Sequence, residues 1–217
     1  AANSSPALAK YKNLPAVVVY GDSGTGKSSF VCMLMDGHFC NQKKGSWQHL
    51  HSRILAWHFC SVNSDESLSP VRWARSLTGQ VILRAAEVGK ASEVIAHGGH
   101  SDLKSLVDWI EHQDSARHIL TSCVIPLLEK LGPLDGRDTI WVDSLDEALT
   151  HDVLKGCHST GNTIVALLIE MKSKWPRWLR VVATSRPDED TRAALKPLTG
   201  ASIDVESQQN KSDVETF

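Results

Sequence analysis

No apolar run in this sequence approaches the length needed to cross a bilayer, and the N-terminus lacks the apolar core of a signal peptide. A membrane span is therefore not expected, and the expected location is cytoplasmic. Cysteine is sparse and unpatterned. Cys32, Cys40, Cys60, Cys123 and Cys157 are odd in number, and none forms a C-x-x-C pair. That argues against a disulfide framework and fits reduced thiols. Neither sign of charge dominates: the formal net charge is -2, which argues against a broad electrostatic surface for nucleic acid or membrane. No internal repeat is present. The 217 residues suffice for one large domain with a sizeable core. The sequence begins at Ala1 rather than Met, so a segment of something longer is expected.

What is present is concentrated in one stretch. Gly21-Asp22-Ser23-Gly24-Thr25-Gly26-Lys27-Ser28 fits G-x-x-x-x-G-K-[ST], the phosphate-binding loop of nucleoside triphosphatases. Ala16 to Tyr20 before it reads as a short buried strand, and Ser29 to Met35 after it as the first turns of a helix. Glycines let such a loop curl until successive backbone N–H groups face a common centre, a nest for anionic oxygens. The helix beginning here adds unpaired N–H groups and the positive end of its dipole. Lys27 supplies a full charge for the β- and γ-phosphates, Ser28 a hydroxyl for Mg²⁺, and Ser29 continues the loop into the helix.

The rest of the sequence alternates strand and helix signals. Residues 1–14 read as a small, polar lead-in, 15–206 as the domain and 207–217 as a polar tail. Arg53 to Cys60 is a mostly apolar run compatible with a buried parallel strand. Val71, Ala74, Leu77, Val81, Ala85 and Val88 recur at helical spacing, and Gly89 to Ser101 reads as a loop. Leu103 to Ile110 and Ile119 to Leu131 predict two further helices, the second perturbed by Pro126. Thr139 to Asp143 predicts a strand, His151 to Asn162 a polar connection, and Thr163 to Lys174 a helix. Leu179 to Thr184 and Ala201 to Val205 predict the last two strands. This order predicts an α/β three-layer sandwich, a mostly parallel sheet with helices on both faces.

Hydrolysis needs a metal ligand and a group that orients water. In Thr139-Ile140-Trp141-Val142-Asp143-Ser144-Leu145-Asp146-Glu147 an apolar strand ends in a carboxylate, where ligands bind in open α/β sheets. Asp143 is expected to hold Mg²⁺ with Ser28, through water. Asp146 and Glu147 are the candidates for orienting the attacking water. Thr184-Ser185-Arg186-Pro187 closes another strand and can bring Arg186 to the γ-phosphate.

Together these three strings resemble the NACHT branch of STAND ATPases. In that family a small residue directly follows the Mg²⁺-linked Asp; Ser144 is that residue here. Ala56-Trp57-His58-Phe59-Cys60 is similar to the second strand of NACHT modules attached to ankyrin repeats, and Trp175-Pro176-Arg177-Trp178-Leu179 also resembles that group. The resemblance spans roughly residues 15–205. It implies a nucleotide-dependent switch that holds ADP when closed, exchanges it for ATP, then opens, often to oligomerise or signal. Mg²⁺ and ATP or ADP are the expected ligands, and protein partners are expected through flanking domains. The helical and winged-helix segments that follow the nucleotide domain in that family are not in this sequence.

Other functions remain in view. A phosphotransferase would need an acceptor pocket and an Arg-rich lid; Arg72, Arg75 and Arg84 fall on a predicted helix instead. A GTP switch lacks an N-K-x-D string, and Asp143-Ser144-Leu145-Asp146 is not D-x-x-G. A scaffold that binds nucleotide without turnover is the fourth reading. His49, His51, His58 and Cys60 form a His/Cys-rich neighbourhood without a completed zinc pattern. Cys157-His158 lies in a polar loop with no assignable partner, and Trp47 follows Lys43-Lys44 without making a nucleic-acid platform. Trp57 and Trp141 on strands, and Trp73 and Trp109 on helices, are expected to pack. His97-Gly98-Gly99-His100 reads as a turn.

Overall fold

The computed structural model describes residues 16–36, 50–134, 138–154 and 163–207. Its frame is set by short apolar runs. Strand β1, Ala16–Tyr20, buries Ala16, Val18 and Tyr20 and leaves Val17 and Val19 half-buried, the period of two that a pleated strand imposes. Strands β2 (Ile54–Phe59), β3 (Thr139–Asp143), β4 (Arg180–Ser185) and β5 (Ala201–Asp204) join it in one sheet of order β2-β3-β4-β1-β5. Every pairing is parallel. The loop-bearing β1 and the carboxylate-bearing β3 are thus separated by β4, so the ends of β1, β3 and β4 reach one rim of the sheet together.

Helices cover both faces. Helix α1, Lys27–Met35, lies on the face that carries Val17, Val19 and Trp141; its Phe30 meets the Trp141 ring at 6.2 Å between centroids. The opposite face holds the main core. Val18, Ile140, Val142, Val181 and Ala183 pack there with α2 (Pro70–Glu87), which contributes Trp73, Leu77 and Val81. Helices α3 (Ala91–His97), α4 (Leu103–Glu111), α5 (Ala116–Ile119) and α6 (Ile125–Leu131) come next in the chain. Helices α7 (Leu145–Leu154), α8 (Ile164–Met171) and α9 (Glu189–Leu195) connect the later strands. The architecture is the expected α/β fold.

Local chemistry explains most boundaries. Ser69 caps α2 by accepting from Arg72 N–H, with Pro70 in the first turn, where its missing N–H costs nothing. Asp102 and Ser105 form a capping box on α4. Pro126 perturbs its helix through a π turn, Leu120–Val124, in which Ile125 N–H reaches back to Leu120 O. The wider turn accommodates a residue that has no N–H for the carbonyl four positions back.

Three expectations are corrected. Residues expected to form a loop after Gly89 contain α3, because Val94 and Ile95 are buried under α2 and α6. The segment expected to be a polar connection from His151 is helical to Leu154, an extension of α7. Strand β2 is the expected parallel strand, buried at Ile54, Leu55 and Ala56, but it lies at the edge of the sheet, and Trp57, expected to pack, is 41% exposed. That edge is sealed locally: the Gln80 side chain accepts from Trp57 N–H and donates to Trp57 O, both at 2.9 Å. Trp73 packs as expected, and Trp109 sits against the rings of His100 and His118. The 97–100 turn ends α3, with Gly99 at φ 85°. Cys157, His158, Trp47 and His49 lie outside the described residues. No described helix is long and apolar enough to cross a membrane.

Candidate functional site

The site begins at the end of β1, where Gly21 N–H is held by Ser185 O at 3.2 Å. A side chain at Gly21 would collide with Val205 and with the Thr25 hydroxyl, so only glycine fits. Gly24 and Gly26 take φ 84° and 85°, the left-handed region open to glycine at little cost. Gly26 is also the N-cap of α1 and offers no side-chain cap. By contrast, α2, α4, α5, α8 and α9 all begin on a capping side chain. No capping side chain among the described residues therefore takes up the first N–H groups of α1, which can face an anion.

Lys27 ties the loop together. Its ammonium donates to Gly21 O at 2.5 Å, to Asp22 O at 2.9 Å and to the Thr25 hydroxyl at 3.3 Å. Asp22 O also accepts from Thr25 Oγ1 at 2.8 Å. The positive charge is thus fixed across the mouth of the loop by neutral oxygens, which leave it uncancelled.

Behind the loop sits Asp143, 3% exposed. Its Oδ2 accepts from the Ser28 hydroxyl at 2.6 Å, joining residues 115 positions apart, and from Ser144 Oγ at 3.1 Å. Its Oδ1 accepts from the Thr184 hydroxyl at 2.5 Å, and Thr184 Oγ1 in turn accepts from Ser144 N–H at 2.9 Å. A buried carboxylate is tolerable only when its lone pairs are taken up in this way. Ser144 has φ 59°, the one positive φ at a described non-glycine residue. Strain of that kind gathers at sites whose geometry is over-determined.

The water-orienting candidates are both engaged. Asp146, nearly buried, receives Arg186 N–H at 3.2 Å and the Arg186 Nε at 3.1 Å. Glu147 Oε2 accepts Val62 N–H at 2.7 Å from the loop after β2. Both acids stand in the first turn of α7, where their charge also suits the helix dipole. Ser23, Gly24, Gly26, Lys27, Ser28, Ser29, Ser144, Asp146, Glu147 and Arg186 line one cleft of about 230 Å³. Gly21, Asp22 and Thr25 form its back through the Lys27 contacts. Asp143 stands behind Ser28. Every residue read from the sequence for the phosphate loop, the Mg²⁺ ligands and the water-orienting groups thus falls in this cleft or directly against it.

Two participants escape a reading of the sequence. Thr184 shows there only as the polar residue near Arg186, and its grip on Asp143 depends on β4 lying beside β3. Val62 contributes only a backbone N–H, for which no side-chain signal exists. The His/Cys neighbourhood resolves otherwise: the His58 imidazole bonds Ser67 O at 2.6 Å, His51 bonds Leu34 O at 2.7 Å, and Cys60 is buried. Burial lowers the pKa of His58 below its usual value, partly offset by the bond to Ser67.

Taken together, the parallel sheet, the glycine-hinged turn into α1 and the acid–hydroxyl cluster at the shared rim define an α/β protein with a candidate anion cradle. Over residues 7–186 the sequence matches the model of the family described as Nephrocystin 3, N-terminal, and it belongs to that family. No curated protein matches it.

Proposed function

We propose that this domain is a Mg²⁺-dependent ATP-binding switch module of the NACHT type, with slow hydrolysis. The observation that carries the proposal is the 2.6 Å contact between Ser28 and Asp143 directly under the glycine-hinged loop. A hydroxyl and a carboxylate held together there form the hard-oxygen donor set that Mg²⁺ prefers. When bound there, Mg²⁺ would supply positive charge against the phosphates. Ser28 and Asp143 would hold it, and Asp143 comes already oriented by Thr184 and Ser144.

The remaining residues have separable roles. Backbone N–H groups of the loop and of the start of α1 bind the phosphates, Thr25 N–H excepted, which is donated to Asp22 O at 3.3 Å. Lys27 supplies the charge. Arg186 is 55% exposed at its side chain and reaches over the cleft from β4, where it can exchange Asp146 for a terminal phosphate. That exchange gives the bound triphosphate a differential contact, which a two-state switch requires. Glu147 is the candidate base. Its bond to Val62 and the Asp146–Arg186 pair hold both acids in protein contacts, which favours slow turnover over rapid chemistry. Adenine is the proposed base on the strength of the family resemblance.

The test is a titration with ATP, ADP and GTP, with and without Mg²⁺, on the wild type and Lys27→Ala. At about 4 Å and an effective dielectric near 20, one charge pair is worth about 4 kcal/mol. Loss of Lys27 should therefore weaken triphosphate binding by about three orders of magnitude. Equal affinity in the two proteins removes the assignment.

A further inference from the structure

A second cleft, of about 440 Å³, opens at the opposite rim of the sheet, where β4 begins. Its lining includes Lys172, Trp175, Pro176, Arg177, Leu179 and Arg180. Strand β4 runs from Arg180 to Ser185, so roughly 17 Å of strand separates this cleft from the nucleotide cradle. The two are distinct sites.

Its lining is cationic. Lys172 donates to Pro197 O at 2.8 Å, a carbonyl that fixes the ammonium without cancelling its charge. Arg180 donates to Arg177 O at 2.6 Å and Leu179 O at 2.8 Å, which folds the turn before β4 around its guanidinium. The Arg177 side chain is exposed and makes no hydrogen bond or ion pair among the described residues. No acidic side chain among the described residues lines the cleft. Trp175, 8% exposed, adds a buried indole N–H with no acceptor among the described residues. Native proteins rarely leave such a donor unpaired. Pro176 and Leu179 line the cleft beside the cations as its apolar wall.

We propose that this cleft docks an acidic peptide segment of a partner protein, with carboxylates against Lys172 and Arg177 and an apolar side chain against the wall. The volume and the apolar wall suit a few alternating side chains better than one small anion. Nucleic acid is disfavoured because Trp175 is buried and offers no stacking face. A partner that meets a cationic rim gains specificity and association rate through charge complementarity.

The test uses fluorescence anisotropy of the whole chain with a labelled peptide of about ten residues that alternates glutamate with leucine. Wild type should bind saturably, and more weakly as salt rises. Arg177→Glu should lose at least about tenfold in affinity while Mg²⁺–ATP affinity stays unchanged, which separates this cleft from the cradle. Arg177 is exposed and makes no described contact through its side chain, so the variant should keep the wild-type circular dichroism spectrum. Arg177→Ala is the neutral control, expected to fall between the two. The proposal is overturned if Arg177→Glu binds as wild type does, or if wild type ignores the peptide at low salt. Equal binding of a glutamine–leucine peptide overturns it too, as does capture by phosphatidylserine vesicles in place of the peptide.

Discussion

Replacing Thr184 by valine deletes one hydroxyl and almost nothing else. Thr184 is 2% exposed and stands between β3 and β4 as donor to Asp143 and acceptor for Ser144 N–H. The lost bond to a carboxylate is worth about 1.5–3 kcal/mol. The orphaned Ser144 N–H adds a desolvation cost of about 1 kcal/mol or more, at a residue already held at positive φ. A total of about 3 kcal/mol is expected, a large share of the roughly 5–15 kcal/mol that holds a domain together. For a chain of this size that lowers the melting temperature by roughly 6–12 °C. Thr184→Ser keeps the hydroxyl and should lose only about 1 kcal/mol for the methyl group. Urea denaturation of the three proteins measures the difference. A valine variant within about 0.5 kcal/mol of wild type would refute the idea that Asp143 depends on this hydroxyl.

Two further outcomes are expected. Glu147→Gln retains an acceptor for Val62 N–H, so Mg²⁺–ATP binding should persist while phosphate release slows by about a hundredfold or more, the usual share of a general base; unchanged release moves that role to Asp146 or elsewhere. His58 titrates below its usual value of 6.5 because burial disfavours the imidazolium. The unfolded chain therefore takes up the proton first, so stability is flat above about pH 6.5 and falls as the pH drops through the lower folded value. His58→Gln should flatten that fall, as read from urea midpoints at several pH values; an unaltered acid slope would assign it to other groups.

The strand ends were legible because each couples an apolar run to a chemical terminus: Tyr20 to Gly21, Val142 to Asp143, Thr184-Ser185 to Arg186. Glycine spacing exposed the cradle for the same reason, since few residues tolerate φ near 85°. What could not be read was lateral. An apolar run looks alike at the centre and at the edge of a sheet, so β2 gave no sign that Trp57 would face solvent. Helix α3 is short and ends in Gly98-Gly99, so its two buried residues, Val94 and Ile95, carried too little periodicity to outweigh turn chemistry. The bonds from Thr184 to Asp143, Arg186 to Asp146 and Val62 to Glu147 join distant parts of the sequence. The first two exist only once β4 lies beside β3, and the third only once β2 does.

The amide of Gln80, by occupying both backbone groups of Trp57, plays the part of a missing neighbour and closes one flank of the sheet to newcomers at that point. A foreign strand approaching this border would find neither donor nor acceptor at Trp57, so a ladder could not run past that residue without first displacing the glutamine side chain.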